Sequence, residues 1–204
     1  MCSARPLLQA GDKGVAQYKK TDNDNLETKL DLRRHFLSRY HQEPGSVFDC
    51  CQGNRVMWGR LQPEFPHLKY WGVDIKHKPG RLKVDSQRLL EMGLQADVID
   101  VDTYGSPWSH WMALLPHVQR PCTVFLTWGM AQRGGATSVG KFMSTQIVFP
   151  SLIVPESFHQ HIIDHYLSIA LWQPNRFGLQ IVEAAEAEKE GRSARYFGLH
   201  LKPK

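Results

Sequence analysis

Residues 46–51 read Ser46-Val47-Phe48-Asp49-Cys50-Cys51, an apolar run that leads directly into the turn Gln52-Gly53-Asn54. A short apolar run bounded by a glycine-containing turn is typical of a strand that is buried on both faces. The residues behind the turn, 55–61, predict a helix that ends before Pro63. A strand, a tight turn and a helix in this order form the first half of a βαβ unit.

The same alternation continues along the chain. Further strands are predicted at residues 69–75, 83–85, 96–102 and 121–127, and helices at 86–92 and from 108 to about 115. Strands that alternate with helices favour a parallel sheet, and right-handed crossovers then cover both of its faces with helices. We therefore predict an α/β fold with a mostly parallel sheet.

The chain begins with a polar segment. Residues 1–25 show no apolar period and predict a flexible N-terminal arm, which leaves residues 26–204 as the folded domain. A first helix is predicted from Leu26 to Tyr40, with its leucines and Phe36 on one face. Arg33, Arg34 and Arg39 are predicted mostly off that face.

The C-terminal part carries weaker patterns. The glycine-interrupted stretch 129–149 predicts either a mobile loop or a loop with a short helix near a ligand, and residues 156–172 predict an amphipathic helix. Two closing antiparallel strands are predicted at about 177–182 and 194–201. The alanine and glutamate residues of 183–190 leave a short helix as the alternative for that stretch.

Composition limits the class of protein. Twenty-five Lys and Arg residues against 20 Asp and Glu residues give a net charge of +5, which permits a polyanionic partner without requiring one. No apolar run reaches the roughly 18 residues of a membrane span, and the N-terminus lacks the apolar region of a secretory signal. The four cysteines show no metal-ligand spacing, so we expect no metal site and an intracellular, cytoplasmic protein.

An aspartate stands at the end of each of four consecutive predicted strands. These residues are Asp49, Asp74, Asp85 and Asp102. For any one of them, a cap of the following helix is the simpler interpretation. Because ligands of open parallel sheets bind at the carboxyl ends of the strands, the four together indicate a ligand site. Asp74 also follows the first turn at the spacing, about 20 residues, at which an acidic residue holds a ribose.

These segments, taken in order, resemble the motifs of class I S-adenosylmethionine (SAM) dependent methyltransferases. Residues 47–53 are similar to motif I, with Cys51 at the first glycine position, while 71–75 resemble motif II and 84–86 the third motif. The resemblance implies a single Rossmann-like domain whose seven-stranded sheet ends in an antiparallel hairpin, and SAM as the cofactor. The cofactor-binding residues it implies are Asp49, Cys51, Gln52, Gly53, Asn54, Asp74, Ile75, Asp85, Ser86 and Asp102.

Residues 102–107, Asp-Thr-Tyr-Gly-Ser-Pro, resemble motif IV of tRNA (guanine-N2) dimethyltransferases and of amino-group DNA methyltransferases, with Thr103 at a usual proline position. The resemblance implies Asp102 and Tyr104 as catalytic residues, which accept the hydrogens of the target amine and stack on its base. The implied substrate-binding residues are Thr103, Tyr104, Gly105, Ser106, Pro107, Trp108 and Arg133. The alternative for the loop is a plain turn whose tyrosine fills the core.

Other aromatic, histidine and basic residues carry weaker signals. Trp58 and Trp172 are predicted in the core, whereas Trp108 and Trp111 flank the predicted site. His110 is interpreted as a solvated or capping residue. A set of basic side chains is interpreted either as a phosphate-facing surface or as ordinary solvated helix faces: Lys19, Lys20, Arg33, Arg34, Arg39, Arg133 and Lys141.

The sequence thus predicts a methyltransferase that acts on an exocyclic amino group of a base in DNA or RNA. Two alternatives stay open at this point. One is a methyltransferase for a small molecule or a protein, since the chain offers no separate target-recognition domain. The other is a non-catalytic nucleic-acid or partner-binding module of the same fold.

Overall fold

The computed structural model describes residues 25–76, 82–103, 106–129, 167–168, 170–188 and 194–204. Residues 1–24 of the predicted N-terminal arm, 130–149 of the predicted loop and most of the helix 156–172 lie outside these residues. The first described element is helix α1, Leu26–Tyr40, with an acidic residue in its first turn and a basic one in its last. Both charges complement the helix dipole.

A seven-stranded sheet follows. Its strands are β1 (Gly45–Asp49), β2 (Leu68–Asp74), β3 (Leu82–Lys83), β4 (Val98–Val101), β5 (Cys122–Gly129), β6 (Leu179–Glu188) and β7 (Ala194–Pro203), in the spatial order β3-β2-β1-β4-β5-β7-β6. Strands β1 to β5 pair in parallel, and β7 is antiparallel to both β5 and β6. The sheet therefore has the predicted architecture, with a C-terminal antiparallel hairpin.

The helices cover both faces of this sheet. On one face, α1 and α2 (Val56–Leu61) pack against Val47, Val98 and Phe125. On the other face, α3 (Ser86–Glu91) and α4 (Trp108–Leu114) pack against Phe48, Ile99 and Val124. Successive strand residues point to opposite faces, so β1, β4 and β5 are buried on both sides, as their mostly apolar sequences predict.

Strands β2 and β3 are added on one side of β1, whereas the strands from β4 onward are added on its other side. From β1 the chain passes through α2 to β2 on one side, whereas β4 lies on the other side of β1. In open α/β sheets, such a point of reversal leaves a crevice at the carboxyl ends of the strands. The acidic residues described below lie at this edge of the sheet, where the strands end.

Strand β6 rules out one of the two structures that the sequence left open for this stretch, the short helix. Residues 183–188 are strand, not helix, and they pair with β7 after an irregularity between Ile181 and Glu183. Alanine and glutamate favour helices in isolation, but the ladder to β7 satisfies the backbone here and overrides that preference.

The tryptophans also depart from expectation. Trp58 is buried as predicted, but Trp172 is 58% exposed and does not belong to the core. Trp108 and Trp111 are fully buried between α4 and the sheet, and the Trp108 ring lies 5.6 Å from that of Trp128. Their large apolar rings fill the space between α4 and the sheet, so neither ring lines the predicted site.

Among the described residues, no helix has the length and apolar composition needed to cross a bilayer. The three cysteines that the structure describes, Cys50, Cys51 and Cys122, are free thiols.

Candidate active site at the carboxyl edge of the sheet

The crevice opens where β1 and β4 end. Asp49 is the last residue of β1, and Asp100 lies beside it in the parallel register. The Cys50 N–H donates a 2.8 Å hydrogen bond to the Asp100 carbonyl. Beyond this bond, the residues after β1 turn toward β2, while Asp102 follows the end of β4.

The loop after β1 lies across the ends of β1 and β2. The Cys51 N–H donates to Oδ1 of Asp49 (3.0 Å), and the Gln52 N–H donates to the Val73 carbonyl (2.9 Å). Gly53 and Arg55 both adopt left-handed backbone, with φ of 50° and 56°. The glycine at motif I therefore closes the loop sharply, and Arg55 carries a strain that a side chain rarely tolerates.

Asp49 is buried beneath this loop. Its Oδ2 accepts a 2.9 Å hydrogen bond from the Tyr70 hydroxyl. Burial, together with the negative charge of the neighbouring Asp100, raises the pKa of Asp49 to about 8. Asp49 is therefore mostly protonated at neutral pH, which removes one of the negative charges that would otherwise crowd this edge.

Gly72 makes room for Asp49. It lies opposite Asp49 in the β1–β2 register, and a methyl group at Gly72 would lie 3.0 Å from both the Asp49 Cβ and the Tyr70 hydroxyl oxygen. Only glycine lets the two strands and the Tyr70 side chain meet here without displacement.

Asp74 ends β2 on the same edge. Its Oδ2 accepts the Gly53 N–H (3.2 Å) and its Oδ1 accepts the Lys76 N–H (2.9 Å). The carboxylate is thereby fixed in orientation, and each oxygen retains a lone pair for a further donor. The next side chain, Ile75, is 65% exposed. An oriented carboxylate beside an exposed apolar side chain can hold a polyhydroxylated ring with a flat base next to it.

Asp85 and Ser86 lie at the start of α3. Asp85 is the N-cap of this helix, and its Oδ1 accepts the Gln87 N–H at 3.0 Å. The hydroxyl of Ser86 is buried and bonded to Nε2 of His110 at 2.9 Å. His110 is half-buried and holds Ser86 rather than capping a helix, and burial lowers its pKa. The capping interpretation thus accounts for Asp85, while Ser86 serves to join α3 to α4.

An ion pair that the sequence did not reveal lies below the site. Arg33 of α1 is 1% exposed, and its Nε and Nη2 donate to the two carboxylate oxygens of Asp100 at 2.8 and 2.6 Å. The Trp58 indole donates to the same carboxylate at 2.7 Å. The expectation that Arg33 faces solvent is wrong. A signal was present in the sequence, because Arg33 follows Leu30 by three residues and precedes Leu37 by four.

A second pair reaches the site itself. Nζ of Lys29, also on α1, lies 2.7 and 2.9 Å from the two carboxylate oxygens of Asp102. Burial would raise the pKa of Asp102, but the charges of Lys29 and Arg33 outweigh it and lower that pKa. Asp102 is therefore ionised at neutral pH. Sequence reasoning did not identify Lys29, since a lysine on a helix gives no sign of a partner so far along the chain.

The motif IV loop is described in part. The Thr103 hydroxyl is buried and, within the described ranges, has no hydrogen-bond partner. Ser106 lies just before α4, where its hydroxyl oxygen is 3.5 Å from the Trp108 N–H, and Pro107 is buried. Trp108 is fully buried and offers no surface to a substrate, contrary to its predicted role. The predicted site residues Tyr104, Gly105 and Arg133 lie outside the described residues.

The predicted residues thus fall into two groups. Asp49, the loop 51–54 and the pair Asp74-Ile75 come together at the carboxyl ends of β1 and β2, and Asp102 follows the end of β4. Asp85 caps α3, Ser86 bonds to His110, and Trp108 is buried, while cofactor binding by Asp85 and Ser86 stays a prediction. In the part of the chain that the structure describes, no three His, Cys, Asp or Glu side chains are grouped to hold a metal ion.

Solved structures with this architecture are known. The chain is similar to Trm1 from Pyrococcus horikoshii, solved as a complex with S-adenosyl-L-methionine, with a TM-score of 0.62, 15% sequence identity and coverage of 87% of this chain and 54% of that one. It is also similar to the plantazolicin methyltransferase BamL, solved with a triazolic desmethylPZN analog and SAH. The TM-score is 0.53 and the identity 11%, over 90% of this chain and 86% of BamL.

This chain has the fold of the class I methyltransferases. Its strand order, with the last strand inserted antiparallel between β5 and β6, and the two similarities both carry that conclusion. The chain spans about half the length of Trm1, 54%, but most of the length of BamL. No protein-family model matches the sequence, and no curated protein matches it.

Proposed function

We propose that this protein is a SAM-dependent methyltransferase that methylates an exocyclic amino group of a nucleic-acid base. The observation that carries the proposal is the placement of two oriented carboxylates, Asp74 and Asp102, at the ends of β2 and β4 on either side of β1. This fold binds its ligands at that edge.

The residues on the β1–β2 side fit SAM. The Asp74 carboxylate retains lone pairs for the two ribose hydroxyls, and the exposed Ile75 side chain can pack against adenine. The N–H of Gly53 already bonds to Asp74, which closes the loop against the end of β2.

The residues on the β4 side fit the acceptor. SAM supplies a methyl group on a sulfonium: as the N–CH3 bond forms, the S–CH3 bond breaks with its electron pair left on sulfur, and the amine loses a proton. The ionised Asp102 can accept an N–H of that amine and increase the electron density on nitrogen. Since its pKa is lowered, Asp102 orients the amine without retaining the proton, which passes to water.

Two observations support a base as the acceptor. Residues 102–107 resemble the motif IV of enzymes that methylate base amino groups, and the chain carries a net charge of +5. Tyr104 would stack on the base, a contact worth on the order of 1–3 kcal/mol. The free thiols among the described cysteines agree with a location inside the cell, which stays a prediction.

One observation favours a different acceptor. BamL, which was solved with a triazolic desmethylPZN analog, matches this chain over 86% of its own length. A small molecule is therefore the second candidate. A nucleic-acid substrate would show steep loss of binding with rising salt, because phosphate contacts release counterions, whereas a small neutral acceptor would not.

The test is transfer of labelled methyl groups from SAM. The full chain is incubated with total tRNA, DNA and small-molecule extracts, alongside the variants Asp102→Asn and Asp31→Asn. Asp31 is an exposed aspartate on α1 and serves as the matched control. We expect label in a nucleic-acid pool, a loss of at least about 100-fold in Asp102→Asn, in line with other groups that stabilise a developing charge, and full activity in Asp31→Asn. Full transfer by Asp102→Asn would refute the catalytic role.

A further inference from the structure

Helix α1 holds the end of β4 through two cations, one helical turn apart. Lys29 bonds both carboxylate oxygens of Asp102, and Arg33 bonds both oxygens of Asp100, two residues earlier on β4. Nη1 of Arg33 also donates to the Lys29 carbonyl at 3.0 Å. The two pairs therefore form one rigid connection between the helix and the strand.

The two pairs differ in their access to solvent. The Arg33–Asp100 pair is sealed, with side-chain exposures of 1% and 0%. The Lys29–Asp102 pair is partly open, at 16% and 23%. A ligand at the carboxyl edge can thus reach Asp102 but not Asp100, and the charge that it meets beside Asp102 is that of Lys29.

Other groups also face Asp102. Arg33 adds a second positive charge from α1, while Asp49 of β1 and Asp100 of β4 add acidic groups. The Cys51 thiol lies close by in the loop after β1, and burial keeps it protonated. On the far side, Lys29 is 5.1 Å from the ring centre of Tyr196 on β7, whose face holds the ammonium near the carboxylate. Lys29 is the cation that contacts Asp102 directly.

We infer that Lys29 is a positioning residue for the reaction at Asp102: its ammonium holds that carboxylate ionised and in one orientation, and releases one oxygen to the incoming amino group. The inference rests on the proposed function. Lys29 does not touch the reacting atoms, and it acts through Asp102 alone. With one oxygen still bonded to Lys29, the other oxygen points its lone pair in a fixed direction.

The first test measures the charge of Asp102 without any substrate. The full chain, labelled with 13C, is titrated while its carboxyl carbons are followed by NMR, and Asp102→Asn assigns the Asp102 signal. In the wild type, we expect Asp102 to titrate below its ordinary value of 3.8. Lys29→Met should raise the midpoint by about 1 unit or more, the usual effect of one close opposite charge, and Lys29→Arg should restore most of it.

Arg34→Met is the matched control, because Arg34 lies on the exposed side of α1 and pairs with Asp31 and Glu64. It should leave the Asp102 titration unchanged. If Lys29→Met also leaves that titration unchanged in a folded protein, the inference is wrong.

The second test uses methyl transfer to the acceptor pool that the wild type labels. At saturating SAM, Lys29→Met should lower kcat about tenfold at pH 6 and recover part of the loss at higher pH, with KM for SAM unchanged. Lys29→Arg should behave like the wild type. Equal pH profiles for Lys29→Met and the wild type would overturn the inference. If the wild type labels no pool, the proposed function fails, while the NMR titration still decides whether Lys29 sets the charge of Asp102.

Discussion

Asp49 is buried at the end of β1 with Asp100 as its neighbour and the Tyr70 hydroxyl as a donor. Two acids side by side cannot both ionise cheaply in a low-dielectric site. Arg33 and Trp58 supply three donors to the Asp100 carboxylate, whereas Asp49, whose pKa is raised by burial and by Asp100, remains mostly protonated at neutral pH. The two acids thus have different roles. Asp100 anchors α1 through Arg33, and Asp49 accepts the Cys51 N–H in the loop of motif I.

This division predicts a pH-dependent stability. In the folded state the pKa of Asp49 is raised from 3.8 to about 8, so the folded protein binds an extra proton between these values. Stability from this residue is then fully present below about pH 4 and is lost progressively as the pH rises from there to about 8. Asp49→Asn, a neutral isostere of the acid, should match the wild type below about pH 4 and have a higher Tm at pH 8.

Thermal unfolding across that pH range measures the difference, and each kcal/mol corresponds to roughly 2–4 °C in a chain of this size. A parallel pH dependence for Asp49→Asn and the wild type would contradict the protonated state of Asp49. In Asp49→Asn, the side-chain oxygen of the asparagine can still accept the Cys51 N–H, so the loop should not change.

The sequence predicted the positions of individual aspartates better than the ion pairs between aspartates and the cations of α1. Asp49, Asp74 and Asp102 were predictable because a residue at the end of a parallel strand has a known place in the sheet. The partners of Lys29 and Arg33 were not predictable, since each pairs with an aspartate about 70 residues away, and only the three-dimensional fold brings α1 over β4. Trp108 was misplaced because an aromatic residue next to a motif fits a core and a site equally well.

At the scale of elements, α1 depends on its buried arginine. Arg33→Met keeps the length of the side chain but leaves the Asp100 carboxylate buried without its cation. Removing one partner of such a pair costs about 3–5 kcal/mol. Urea unfolding should show a loss of this size for Arg33→Met.

The matched comparison is Arg34→Met, one residue along the same helix. Arg34 pairs with Glu64 and Asp31 on the surface. Exposed pairs contribute about 0–1 kcal/mol, so its loss should be small. Similar losses for the two variants would show that the Arg33–Asp100 pair does not anchor the helix.

Strand β7 depends on a glycine under the same helix. A methyl group at Gly198 would lie 2.7 Å from Cδ2 of Phe36, whose ring packs edge-on against Phe125 at 5.9 Å. The ring is fully buried and has no free space to move into. Gly198→Ala should therefore destabilise the protein by about 1–3 kcal/mol in urea unfolding, the usual cost of overpacking a core.

Gly178→Ala is a contrasting variant in the same hairpin. A methyl group there meets no atom within 4 Å, and the cost comes only from its φ of 69°. Alanine in left-handed backbone costs about 1 kcal/mol, and no packing penalty is added. If Gly198→Ala were as stable as the wild type, the tight contact between α1 and β7 would not exist in solution.

Whether a stretch forms a helix or a strand was predicted correctly where its sequence pattern favoured only one of the two. The apolar runs of β1, β4 and β5 could only be buried strands between helices. The stretch 183–188 was ambiguous because its composition favours a helix, and its strand form depends on pairing with β7, which local sequence does not encode.

For the molecule as a whole, the order of the motifs along the chain was enough to predict the architecture. Alternating strands and helices gave the parallel sheet, and the resemblance to methyltransferases gave the antiparallel hairpin that the structure contains. The substrate is not encoded in this way. Trm1 and BamL share the fold with this chain at only 15% and 11% identity, and a fold alone does not specify a substrate.

The most direct test of the account is calorimetric titration of the full chain with SAM and with SAH. We predict micromolar binding of SAM by the wild type and by Asp31→Ala. Asp74→Ala, which removes the carboxylate proposed to hold the ribose hydroxyls, should bind at least about tenfold more weakly, since each hydrogen bond to a charged group contributes about 1.5–3 kcal/mol. A folded wild-type protein that binds neither compound at about 1 mM, a concentration that detects a free energy of only about 4 kcal/mol, would contradict the proposal that this edge of the sheet is a SAM site.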